Sequence, residues 1–168
     1  MLFDEVYGKY YNELRRFGHQ LNLSDESSED IIQETFLKFF LELKKGMNIK
    51  NPRAWLYKVL LNHFKTQVEK QNRINRSKLN PENGEKLSCD IHDNYVENER
   101  QQIVIQMLDQ MEARDKDILL LYHKGFSYAE MADIMGMNPN SIGKTLVRAI
   151  ENLKETIKIN YHEMFEQN

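Results

Sequence analysis

Cysteine is all but absent. The 168 residues contain one, Cys89, which excludes an internal disulfide and any zinc site built on a cysteine cluster, and suits a reducing compartment. No apolar run approaches the roughly 20 residues needed to span a bilayer. The acidic, tyrosine-rich start MLFDEVYGKYY also lacks the positive-then-apolar order of a secretory signal, so a cytoplasmic location is expected. Catalytic constellations are missing too. His162-Glu163 has no second histidine at zinc-protease spacing, no glycine-rich phosphate loop occurs, and the pair Asp30 and Glu34 reads more simply as helix-start and interface groups. The expectation is a protein that is not an enzyme and needs neither metal nor cofactor.

Positive charge is scarce everywhere but in one stretch. Residues 1 to 43 hold four Lys/Arg against nine Asp/Glu, and residues 80 to 168 hold nine against sixteen, whereas residues 44 to 79 hold ten against the single acid Glu69. A solvated helix mixes its signs, so this reversal inside an acidic chain points to a polyanion such as nucleic acid. From Pro52, a residue suited to a first helical turn, Leu56, Leu60, Phe64 and Val68 recur at four-residue spacing with Trp55 and Val59 beside them, which predicts one core-facing stripe. The other side gathers Lys58, Asn62, Lys65, Asn72 and Arg76, flanked by Arg53, Lys70 and Arg73. On it Tyr57 can stack on an unpaired base and Asn62 can bond a base edge, while Trp55 reads mainly as core.

The rest is helical by periodicity. Phe3, Val6, Tyr7, Tyr10, Leu14, Phe17 and Leu21 follow three-and-four spacing, and no strand alternation is present. Ser24 or Asp25 offers an N-cap to a second helix reaching about Lys45, with Ile32, Phe36, Phe39, Phe40 and Leu43 as its stripe. Leu37 and Leu41 fall on its other side, among Asp30, Gln33, Glu34 and Lys38. Two readings fit: a surface for a protein partner, or a helix buried on both sides in a three-helix bundle. Residues 80 to 97, with Pro81, Gly84, several Asn and Asp and no sustained apolar period, read as a flexible linker. Helix resumes near Asn98, with Ile103, Val104, Met107, Leu108 and Met111 on one side, and again from Arg114 to Lys124, bearing Ile118, Leu119, Leu121 and Tyr122 and stopping at Gly125. Ser127-Tyr-Ala-Glu130 has capping-box spacing and opens a short helix ended by Gly136; Asn138-Pro139 then opens a long one.

A short helix, a glycine turn and a second helix with a polar start form the layout of a helix-turn-helix, whose second helix enters the major groove. Asn140, Ser141, Lys144, Thr145 and Arg148 lie near that start. Yet residues 102 to 168 carry seven Lys/Arg against ten Asp/Glu, so this part should bind DNA modestly unless something else holds it there.

Three segments in order carry a resemblance to one family. Glu29-Asp-Ile-Ile-Gln-Glu-Thr-Phe-Leu-Lys38, Ala54-Trp-Leu-Tyr-Lys-Val-Leu-Leu-Asn62 and Gly125-Phe-Ser-Tyr-Ala-Glu-Met-Ala132, the last within a match over residues 118 to 149, resemble the sigma factors of the extracytoplasmic-function type, specificity subunits of RNA polymerase. The resemblance implies an all-α fold of two small helical domains: a three-helix-type region 2 domain over residues 1 to 79, a linker over 80 to 97, and a region 4 helix-turn-helix domain over 98 to 168. It implies that Asp30, Gln33, Glu34, Leu37 and Lys38 contact the clamp helices of core polymerase, whose flap is a second partner. The loop from Lys44 to Arg53 together with Asn62 would hold a base flipped from the minus-ten element, with Arg53 and Tyr57 in the same DNA-binding set, and Lys58, Lys65, Arg73 and Arg76 would hold phosphates. Ser127, Asn140, Ser141, Lys144, Thr145 and Arg148 would read the minus-thirty-five element. Gly143 and Thr145 stand where the family usually carries Lys and Arg. An anti-sigma partner is implied as well. The competing reading is a stand-alone dimeric helix-turn-helix regulator; a pure protein-interaction module would leave the basic segment unexplained.

Overall fold

The computed structural model describes residues 3–21, 25–77, 104 and 106–166, of which 25–26, 75–77 and 160–166 as backbone alone. The expected linker at 80 to 97 and the helix start near Asn98 lie outside the described residues. The chain divides into two units between His92 and Asp93, and among the described residues all regular structure is helical.

The first unit has three helices, α1 (Phe3–Gln20), α2 (Asp25–Lys44) and α3 (Pro52–Ser77). α2 packs against both others. Its apolar residues sort cleanly: Ile31, Ile32, Phe36 and Phe39 are buried and meet Val6, Leu14 and Phe17 of α1 and Leu56, Leu60 and Leu61 of α3 in one core. Ring contacts knit it, with Tyr7 against Phe36 at 4.8 Å, Phe17 against Tyr57 at 4.7 Å and Phe39 against Trp55 at 5.5 Å between centroids. Phe40, placed in the stripe by spacing, is instead partly exposed at its edge. α3 starts where Asn51 caps it, the Ala54 amide donating to Asn51 Oδ1 at 3.1 Å, with Pro52 following as the first helical residue.

α3 corrects its expected stripe. Leu56 and Leu60 are buried, but Phe64 is half-buried, and Val68 is exposed along with every other described side chain from Lys65 to Ile74. Its 26 residues outrun the 18 and 20 of its partners, so its last turns project beyond the bundle. Apolar spacing continues there with nothing among the described residues to cover it.

In the second unit a helical turn at 106–109 precedes α4 (Ala113–His123), α5 (Tyr128–Met135) and α6 (Pro139–Glu166). Ile118, Leu120, Leu121, Phe126, Met131, Ile134, Ile142, Leu146 and Ala149 make the core. The two turns reverse at Gly125 (φ 78°) and Gly136 (φ 65°), left-handed positions where a side chain would be strained. The capping box forms: Ser127 Oγ accepts from the Glu130 amide at 3.3 Å, and the Ser127 amide donates to Glu130 Oε2 at 2.8 Å. At α6, Asn138 Oδ1 accepts from the Asn140 amide at 2.9 Å.

Candidate functional site

α2 presents two faces. Asp30, Gln33, Glu34, Leu37 and Lys38 are all exposed, at three-and-four spacing on one side, while Ser28, Ile31, Ile32, Thr35, Phe36 and Phe39 are buried on the other. Leu37 is 58% exposed and Leu41 47%. The reading of a helix buried on both sides is thereby overturned, since α1 and α3 both lie on its inner side.

At the C-terminal end of α2 the chain turns through Gly46 into the loop before α3. There a hollow of about 430 Å³ opens, lined by Phe39, Leu43, Met47, Asn48, Ile49 and Lys50 among others. That volume is in the range of small-ligand sites. Asn62 does not line it. Ten residues beyond Pro52, it sits about 15 Å further along the helix axis and points to solvent, so the loop and Asn62 are two separate places instead of one pocket.

The basic set on α3 divides. Asn62, Lys65 and Arg73 are exposed and Lys58 is half-buried; the side chain of Arg76 lies outside the described residues. Tyr57 is the clear correction: it is fully buried, its ring on Phe17, and its hydroxyl donates to Glu13 Oε1 at 3.0 Å. A ring with no accessible face cannot stack on a base. Burial, reinforced by the Glu13 charge, pushes its phenol well up, so it stays a neutral donor. Arg53 converges on the same carboxylate, Nε donating to Glu13 Oε1 at 2.9 Å. Against the opposing effect of burial, the bond to Glu13 raises its pKa. This ties Arg53 to α1. Tyr57→Phe removes a buried hydrogen bond to a charged acceptor and should lower stability by about 1.5 to 3 kcal/mol while leaving transcription from any promoter unchanged, as thermal unfolding and run-off assays would show.

On α6, Asn140 and Lys144 are exposed and Ser141 is half-buried, its hydroxyl donating to Asn138 O at 2.7 Å. Thr145 is a second correction: it is buried, donates to Ser141 O at 2.9 Å and accepts from Arg114 at 3.3 Å, so it faces α4 and not the groove. Ser127 is exposed, with its hydroxyl committed to the capping box. Arg148 is outward but occupied: its guanidinium donates to Asp115 at 2.9 Å, joined there by Asn152 Nδ2 at 2.9 Å. The bond and charge of Asp115 raise the Arg148 pKa further.

Spacing passed over three residues with consequences. Glu13, three residues after Tyr10 and four before Phe17 on the α1 stripe, is an acid where an apolar residue belongs, which signals a partner. Asp115, inside the run Asp115-Lys116-Asp117, reads as a wet helix start, yet all three are buried, with Lys116 Nζ donating to Asp109 at 2.5 Å. His63 Nδ1 meets Glu34 Oε2 at 2.9 Å, joining α3 to the outer face of α2.

Comparison with known proteins matches Sigma-70 region 2 over residues 6–74 and Sigma-70, region 4 over residues 101–153. The chain belongs to the extracytoplasmic-function sigma factors. It is similar to the ECF RNA polymerase sigma factor SigM of Bacillus subtilis, 26% identical over 160 residues that cover 92% of this chain and 94% of SigM. The ferric citrate uptake sigma factor FecI of Escherichia coli is 24% identical, covering 90% of this chain and 88% of FecI. Among solved structures, the sigma factor RpoE of Bartonella quintana, crystallised with the anti-sigma factor NepR, superposes with a TM-score of 0.76 at 26% identity, covering 94% of this chain and 97% of RpoE. As a sigma factor the chain binds RNA polymerase and promoter DNA and directs transcription initiation. None of these likenesses supports a stand-alone dimeric regulator. Among the described residues no helix is long and apolar enough to cross a membrane.

Proposed function

We propose that this sigma factor docks on the clamp helices of core polymerase through the outer face of α2, follows the melted minus-ten strand with α3, and reads the minus-thirty-five element with α6. The observation that carries the docking is the exposure of Leu37 among Asp30, Gln33, Glu34 and Lys38, beside a fully packed inner face. An exposed leucine ringed by charge is the composition of a protein interface core with its rim. The chemistry of RNA synthesis stays with the polymerase, and the sigma factor works in the cytoplasm alongside it.

The hollow at residues 43 to 50 suits one base unstacked from the minus-ten element, and Lys50 on its rim offers the phosphate a cation. Asn62, Lys65 and Arg73 then lie along the exposed face of α3, where Asn62 meets a base edge further along the strand and Lys65 and Arg73 meet phosphates. Region 2 is proposed to end by residue 79 and region 4 to begin by residue 98. An anti-sigma factor, of which NepR on RpoE is an example, is proposed to cover the two units when transcription is not wanted. Asn62→Ala tests the division of labour: open-complex formation should fall by roughly tenfold, in keeping with a base contact worth about 1 to 3 kcal/mol, with core binding unchanged in a pull-down. Equal loss of both would remove Asn62 from base reading.

A further inference from the structure

Gly143 lies inside α6 with helical φ, so its backbone does not require glycine, and glycine there costs helix stability. What the missing side chain leaves is room. A Cβ built at 143 would stand 3.6 Å from Tyr128 Cε2, ordinary contact distance, so the ring lies directly against the position where a side chain would begin. Tyr128 is the first residue of α5, 50% exposed, and residue 143 belongs to the same stretch of α6 as the exposed Asn140, Lys144 and Val147. An aromatic ring from the preceding helix thus occupies the place on the groove-entering helix where a reading side chain is absent.

We propose that the ring of Tyr128, seated over Gly143, is a specificity-determining residue that recognises a thymine of the minus-thirty-five element through its C5-methyl group. This rests on the assignment of α6 to that element. The major groove shows the thymine methyl as an apolar knob distinct from every other base edge, and a half-exposed ring offers it an apolar partner without donor or acceptor requirements. The hydroxyl takes no part in the discrimination.

The test uses holoenzyme reconstituted from core polymerase and the full chain, transcribing a promoter pool randomised through the minus-thirty-five element. The wild type should prefer thymine at one position, and deoxyuridine placed there, which lacks only the methyl, should reduce transcription roughly fivefold. Tyr128→Ala should lose that thymine preference and become indifferent to the methyl, while preferences at other positions persist. Tyr128→Phe should keep it. A uniform fall across all sequences in Tyr128→Ala, with its methyl sensitivity retained, would overturn the proposal and leave the ring a packing or phosphate-contact residue. A wild-type pool with no preference anywhere in the element would instead overturn the assignment of α6 itself.

Discussion

Leu37→Asp should abolish binding to core polymerase while the chain stays folded. The side chain is 58% exposed, so the substitution should alter stability by no more than about 0.5 kcal/mol, as surface changes usually do. In the complex the same carboxylate would be taken out of water against apolar groups without a partner. If Leu37 is a hot spot of the interface, its loss costs at least about 2 kcal/mol, a factor of roughly 30 in affinity, before that penalty is added. The neighbouring charges offer no relief, since Asp30 and Glu34 share the face and would repel the new carboxylate. Affinity for purified core enzyme, set beside a thermal unfolding curve, checks both halves. Undiminished affinity would move the polymerase interface off α2.

The second large effect belongs to Asp115, which is almost completely buried and clasps α4 to α6 through Arg148 and Asn152. Asp115→Ala removes two hydrogen bonds to a charged acceptor, each worth about 1.5 to 3 kcal/mol, offset in part by release of a buried charge. A net loss near 3 kcal/mol follows, and at about 4 to 8 °C per kcal/mol for a unit of this size the melting temperature should fall by roughly 12 to 24 °C. The transition of the first unit should not move. Arg148→Ala strands the carboxylate in the interior, and a double-mutant cycle with Asp115→Ala should be strongly non-additive. Additive effects would show that Arg148 and Asp115 are not coupled and would contradict the clasp.

Much of this was legible beforehand because helix periodicity and cap chemistry are local. Ser127 with Glu130 and Asn138 with Pro139 sit where their spacing puts them, and the outer face of α2 is the one its sequence marks out. The failures share a cause. The polar atoms of Tyr57 and Thr145 suggest solvent or DNA, but each satisfies its hydroxyl inside the fold, one on Glu13 and the other on Ser141 and Arg114. A buried hydroxyl with a partner from another helix is invisible to spacing within its own. The same holds for Asp115, whose partners are 33 and 37 residues away. Val68 failed in the opposite way: its stripe continued after the helices that could cover it had ended.

The acidic balance of both flanking parts now has a physical reading. Residues 102 to 168, with seven Lys/Arg against ten Asp/Glu, offer little counterion release on duplex DNA; on the proposed assignment α6 would depend on α2 and polymerase to reach its element, and the cations of residues 44 to 79 would serve the strand that polymerase opens. The most direct measurement is transcription by core polymerase with and without this chain on fragmented genomic DNA, with start sites sequenced. New starts should occur only with the chain present, each preceded by a shared pair of elements, while the chain alone binds those fragments weakly. Tight binding to a palindromic site without polymerase, and no new starts with it, would contradict the account.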